Sequence, residues 1–190
     1  MRSNMKFYHV NKDYLDYLQK IDPRVMNKDG VNYKYTKFVL GVIISIGDYK
    51  YYAPVSHIKE EMLEKDNLLA LSREYQDIVY PIITKDKDTI TNKSFYKISA
   101  FLRIDFMFPV PDKQLEYLII NRLPQRRKDF VQEEYNYCKK YSEEITDFAQ
   151  RIYDQALDKI NNMHKKCCNF NALEKAHNSW IANDKPKPRM

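Results

Sequence analysis

Glycine is scarce in this chain: three in 190 residues, at positions 30, 41 and 47. Three isolated glycines cannot build the Gly-rich cradle of a P-loop or a dinucleotide fingerprint, which excludes nucleoside-triphosphate chemistry, and no cofactor is expected. Cysteine is equally scarce. Its count of three is odd, and Cys167 and Cys168 are neighbours, so no disulfide scaffold is expected and a reducing compartment is. No long hydrophobic run is present either. The longest, Phe38 to Ile46, is interrupted by Gly41 and Ser45 and reaches about half of what a bilayer needs. Residues 7–10 are too short for a secretory h-region. The expectation is a soluble protein of the cytoplasm, without membrane contact.

Tyrosine, in contrast, is abundant, with 16 copies beside 9 Phe and a single Trp. It packs like a hydrophobe yet carries a hydroxyl and a stacking face. Hydrophobic residues make up 44% of the chain, enough for a core in one domain, expected over residues 1–183 with a loose tail at 184–190. Basic residues outnumber acidic ones by 32 to 26, a net charge of +6 that favours a polyanionic partner without proving one.

The first half reads as strands and turns. Lys6–Val10 predicts a strand, and Asn11 a cap for a helix carrying Tyr14, Leu15, Leu18 and Ile21, stopped by Pro23. Thr36–Ile46 and Tyr49–Val55 flank Gly47-Asp48, a hairpin signal. Asp77–Thr84 predicts a further strand, with Pro81 placing it at an edge or a bulge. Phe101–Val110 predicts another, with Asp105 facing inward. Asp112 reads as the start of a helix bearing Leu115, Leu118 and Ile119. From Gln125 to Lys185 there is no Gly and no Pro, and Tyr141, Ile145, Phe148, Ile152, Ala156, Ile160 and Met163 recur at helical spacing, which predicts one long amphipathic helix. Asn171 and Glu174 suggest a capping box for a last short helix. Strands first and helices later indicate an α+β fold with a mostly antiparallel sheet.

Few residue groups carry chemistry. His164, Cys167, Cys168 and His177 lack the paired spacing of a zinc site, and the two cysteines read as small hydrophobes at a helix junction. Two-metal nucleases need converging carboxylates, and with Asp105 alone facing inward the expectation is chemistry without metal. Tyr51-Tyr-Ala-Pro-Val-Ser56-His57-Ile-Lys59 places a hydroxyl, an imidazole and an ammonium together at a strand end, where a loop meets a rigid element. Ser56 equally suits the cap of a helix starting near Ile58. Tyr33-Lys-Tyr-Thr-Lys37 enters the preceding strand. Arg122, Arg126, Arg127 and Lys128, with Phe130, Tyr135 and Tyr137 behind them, suit phosphate contacts and base stacking, although Glu133 and Glu134 offset part of that charge.

The ordered motifs Met5-Lys-Phe-Tyr-His-Val-x-x-x-Tyr14-Leu-x-Tyr-Leu, Tyr33-x-x-x-Lys37-x-x-x-Gly41, Lys50-Tyr-x-Ala-Pro-Val-Ser56-x-x-Lys59, Phe106-Met-x-Pro109 and Cys168-Asn-Phe170 resemble the ToxN/AbiQ family. These are endoribonuclease toxins of type III toxin–antitoxin and abortive-infection systems. Residues 62–98 carry no match. The resemblance implies a strongly twisted antiparallel sheet wrapped by helices, similar to MazF/Kid toxins. It further implies metal-free RNA cleavage, cellular and phage RNA as substrates, and inhibition by a small repeat RNA that binds as a pseudoknot in a closed toxin–RNA assembly. It places the active site at Tyr14, Tyr33, Lys37 and Ser56, with Lys59 nearby, and leaves open whether His57, where some members carry serine, takes part. The rival class is a non-catalytic RNA-binding module using the same basic and aromatic surface.

Overall fold

Asn11 starts the first helix in the way its side chain suggests: Oδ1 accepts the N–H of Asp13 at 2.8 Å and of Tyr14 at 3.3 Å. It sits between strand β1 (Lys6–Val10) and helix α1 (Lys12–Ile21). The computed structural model describes residues 5–25, 38–58, 77–87, 90–158, 160 and 162–184. Strands β2 (Val39–Ile46) and β3 (Tyr49–His57) form the expected hairpin, with Ile46 opposite Tyr49 and Gly47 at φ +55°, a backbone conformation that favours glycine. Gly41 answers a different need. The Tyr52 ring across the ladder occupies the space that a Cβ there would fill.

β4 (Tyr80–Lys87) and β5 (Ser94–Leu102) form a second hairpin. The sheet runs β4-β5-β3-β2-β1-β7, with β7 at Leu115–Tyr117, every pair antiparallel, and the two-residue β6 (Phe108–Pro109) adds to β3. Pro81 lies on the outermost strand beside a register shift at Ile82/Ile83, so both of its predicted settings hold. Helices α2 (Gln125–Lys140), α3 (Ser142–Leu157), α4 (Met163–Lys166) and α5 (Phe170–Asp184) complete the α+β architecture. No helix among the described residues is long and apolar enough to cross a membrane.

Five expectations are corrected. Asp112 opens a single 3-10 turn, after which Leu115–Tyr117 form β7, because β1 offers a free edge and takes Tyr117, Glu116 and Leu115 opposite Tyr8, His9 and Val10. The stretch from Phe101 is no single strand. β5 ends at Leu102, and Arg103 turns the chain by binding Asp105 with Nε and Nη2 (2.9 and 2.6 Å) while stacking 3.9 Å over Phe106. Asp105 does face inward, but from a 3-10 turn, and its burial outweighs Arg103 and pushes the carboxyl up.

The long helix is broken at Tyr141, whose φ and ψ of −103° and 25° leave the helical range. A straight helix over 125–157 would run about 50 Å at 1.5 Å per residue, longer than a small domain is wide. The kink lets α2 pack on β4 and turns Ile145, Ala149 and Ile152 of α3 onto β2, where Thr146 Oγ1 donates to the Ile43 carbonyl at 3.0 Å. Ile160 falls off the stripe and is 95% exposed. Finally, Asn169 rather than Asn171 caps α5, its side chain accepting from the Ala172 N–H at 3.2 Å, while Glu174 is engaged elsewhere. Of the expected tail at 184–190, Asp184 is instead the last residue of α5, and residues 185–190 lie outside the described residues.

Candidate functional site

Strand β3 carries different chemistry at its two ends. At its start, Tyr51 is fully buried. Its hydroxyl and that of Tyr153 on α3 both donate to Glu174 Oε1 on α5, each at 2.7 Å. Both rings pack on Phe170, at 5.8 and 5.4 Å. Burial, with the Glu174 charge adding to it, pushes both phenols far above their ordinary value. Tyr14 belongs to this closed side. It is fully buried, its hydroxyl donates to the Pro109 carbonyl at 2.8 Å, and its ring meets Trp180 at 5.2 Å. Pro109 pairs with Tyr51, five residues from Ser56, about 17 Å along an extended strand. Tyr14 is therefore not brought to Ser56; it pins α1 to β6.

At its finish, β3 opens toward solvent. Ser56 is half-buried opposite Phe101, and His57 is exposed opposite Ala100. Ser56 is thus a strand residue rather than a cap. Successive strand residues point to opposite faces, so the two side chains leave on opposite sides of the strand end. The Val55 N–H donates to the Phe38 carbonyl and the Ile58 N–H to the Ser99 carbonyl, both at 3.2 Å. Phe38 and Ile58 are the last described residues next to Lys37 and Lys59. Tyr33, Lys37 and Lys59 themselves lie outside the described residues.

The basic run falls in two elements. Arg122 is exposed in a 3-10 turn at Ile120–Arg122, and Arg127 and Lys128 are half-buried in the first turn of α2. The Arg126 side chain is outside the described set. Phe130 turns to the His57 ring at 5.4 Å, and Tyr135 packs edge-on against Phe7 at 6.0 Å. Phe130 consequently reaches the end of β3, whereas Tyr135 is committed to the core.

Glu134 does not offset this patch from the surface, as the sequence suggests, but is fully buried. Its Oε2 stands 3.1 Å from His57 Nε2, and Oε1 is 3.2 Å from the Ser99 hydroxyl. Its spacing carried the signal: Val131, Glu134 and Cys138 occupy one helical face, and all three are buried. Asp22 is a second buried acid without a sequence signature, binding Arg24 and the Asn169 N–H at 2.7 Å. Cys167 and Cys168 are free and buried, as small hydrophobes would be, and His177 is buried against Tyr49 at 5.3 Å.

Residues 6–178 match the family described as Toxin ToxN of type III toxin–antitoxin systems. Endoribonuclease AbiQ of Lactococcus lactis subsp. lactis is 25% identical over 178 residues, covering 92% of this chain and 88% of that protein. Endoribonuclease ToxN of Pectobacterium atrosepticum is 20% identical, covering 93% and 94%. Among solved structures, lactococcal AbiQ, described as an anti-phage endoribonuclease of the type III toxin–antitoxin system, superposes with a TM-score of 0.74 at 22% identity, over 94% of this chain and 98% of that one. A type III toxin described as selectively inhibited by a non-coding RNA pseudoknot superposes at 0.69 and 18%, again over 94% and 98%. The fold thus recurs along almost the whole length of these relatives, and the chain belongs to the ToxN toxin family of type III toxin–antitoxin systems.

Proposed function

We propose that this chain is a metal-independent endoribonuclease toxin of the cytoplasm. On this reading it cuts cellular and phage RNA in abortive infection and is neutralised by a small repeat RNA bound as a pseudoknot in a closed assembly. We take residues 1–183 as its single domain, with the twisted MazF/Kid-like sheet that the family resemblance implies. Family membership and relatives that are themselves endoribonucleases support the activity. The observation that carries the site is the open end of β3, where Ser56 follows Val55, whose N–H donates to the Phe38 carbonyl, and precedes Ile58, whose N–H donates to the Ser99 carbonyl; Phe38 and Ile58 are the neighbours in sequence of Lys37 and Lys59.

Cleavage of this kind drives the ribose 2′-OH onto its own phosphate, leaving a 2′,3′-cyclic phosphate and a 5′-OH. It needs a proton acceptor at the 2′-OH, positive charge on the pentacoordinate phosphate and a proton for the departing oxygen. Lys37 supplies the charge, Ser56 seats the scissile phosphate, and Tyr33 and Lys59 orient the strand. Arg122, Arg126, Arg127 and Lys128 hold phosphates further along, and Phe130 lines the approach. Tyr14, with its hydroxyl committed to Pro109, keeps the scaffold in shape and does not touch RNA.

The test is purified protein with total RNA in EDTA, scored for discrete cuts and cyclic-phosphate ends. Cutting that disappears in Ser56→Ala is the expected result. Binding without cutting by the wild type would replace the enzyme with a non-catalytic RNA-binding module.

A further inference from the structure

We propose that Glu134 is a positioning residue that holds His57 as the proton-transfer group of the site. This rests on the ribonuclease reading above.

A carboxylate with no exposed surface is costly unless its oxygens receive hydrogen bonds. Glu134 has two neighbours to supply them, but they are unequal. The Ser99 hydroxyl has one proton and two acceptors within reach, Glu134 Oε1 and the Ile82 carbonyl, both at 3.2 Å. The full donor is therefore His57, whose Nε2 stands 3.1 Å from Oε2. An ionised carboxylate only accepts, so it requires the proton on Nε2. That choice leaves the Nδ1 lone pair as the basic edge of the neutral ring, and among the described residues Nδ1 has no hydrogen-bond partner.

The ring is fixed in direction as well as in tautomer. Phe38 flanks it at 5.6 Å and Phe130 at 5.4 Å, while 40% of the side chain remains open to solvent. Glu134 is the titratable group bonded to it; one turn along α2 from Glu134, burial and then the Glu134 charge keep the Cys138 thiol protonated, and β5 contributes the Ser99 hydroxyl to Glu134. A ring held on one nitrogen by a buried carboxylate and open on the rest is the arrangement in which imidazole accepts a proton and the carboxylate stabilises the resulting cation. Ser56 and His57 leave opposite sides of β3, yet the strand stops there, so an RNA backbone crossing its end meets both. In the step, the 2′-OH gives its proton to Nδ1 as its oxygen bonds to phosphorus. The bond from phosphorus to the 5′-oxygen breaks, and the imidazolium returns the proton to that departing oxygen.

The full-length wild type, Glu134→Gln and His57→Asn are compared on a short RNA for kcat, KM and pH–rate profile, with thermal melting as the check on folding. His57→Asn retains an N–H for Glu134 but no group that titrates near neutrality. The expected result is a kcat lowered about 10- to 100-fold in Glu134→Gln, with KM within about twofold and the pH limb displaced. His57→Asn should lose that limb and regain part of the rate with added imidazole. A Glu134→Gln protein with wild-type kcat and pH profile overturns the proposal. If that variant does not fold, a His57→Asn protein that keeps the limb overturns it. A wild type that cuts no RNA overturns the ribonuclease reading instead.

Discussion

The two ends of β3 use the same device with different donors. At the start of the strand, Glu174 accepts two tyrosine hydroxyls at 2.7 Å; at its finish, Glu134 stands 3.1 and 3.2 Å from an imidazole nitrogen and a serine hydroxyl. Both carboxylates come from helices packed on the sheet, and both draw on a donor from β3 itself. The difference lies in what the donor can do next. Phenols whose pKa is raised by burial keep their protons across any working pH, so the Glu174 clamp is structure alone. An imidazole changes charge in the range where RNA chemistry runs. One strand, about 20 Å from Tyr51 to His57, thereby separates an inert fastening from a reactive one.

The sharpest way to break this contrast is to alter one residue at each end. Ser56→Ala should lower kcat by about 100-fold or more, the usual scale for losing a group that stabilises the transition state. Tyr51→Phe should leave kcat unchanged and cost about 1 kcal/mol in urea unfolding. Equal losses of kcat in the two variants would erase the distinction. Next in size, Glu174→Ala leaves two buried hydroxyls without their acceptor and should cost about 2–4 kcal/mol, with no displacement of the pH–rate limb. A displaced limb would mean that the closed end communicates with the open one.

A smaller effect tests how far the open end extends along α2. Replacing Arg126, Arg127 and Lys128 together with alanine should flatten the slope of log K against log salt for the RNA antitoxin by up to about 2, at about 0.7 per single-strand phosphate. An unchanged slope would put the RNA on another face.

An effect that depends on pH belongs to the closed side, where Asp22 joins the end of α1 to the start of α5. Burial acts to raise its pKa, but hydrogen bonds from Arg24 and the Asn169 N–H outweigh it and hold the carboxyl below its ordinary value. A lowered folded pKa stabilises above the unfolded value near 4, and that contribution is lost as pH falls through the folded one. Asp22→Asn should therefore cost about 1.5–3 kcal/mol at pH 7 and nothing in strong acid, as read by denaturation at both pH values. A cost that persists in acid would show that geometry rather than charge makes the joint.

What could be read in advance follows the range of the interactions. The Asn11 cap, the Gly47 turn and the edge placement of Pro81 are local rules, and each is met. β7 is not local. Leu115–Tyr117 suit a helix by themselves and become a strand only because β1, more than a hundred residues earlier, offers an edge. The Tyr141 kink has no Gly or Pro to announce it and answers to the width of the sheet. At the site, the adjacency of Ser56 and His57 was visible in one short motif. Glu134 was not, because a glutamate beside another glutamate looks like a solvated pair until helical spacing aligns it with Val131 and Cys138. Tyr14 shows the reverse case, a motif residue whose hydroxyl is bonded to a carbonyl 95 residues away.

The cysteines carry a practical consequence. All three thiols are free and buried, and burial pushes Cys167 up to about 12 and the other two higher still. Thiolate, the form that alkylating agents and peroxides attack, is thus almost absent while the chain is folded. Oxidants find no reactive thiol in the folded chain, and reagents that modify cysteine reach it only through opening. Cys138 sits under α2, and Cys167 and Cys168 at the start of α5, so the rates at which they are modified report separately on the opening of those two helices.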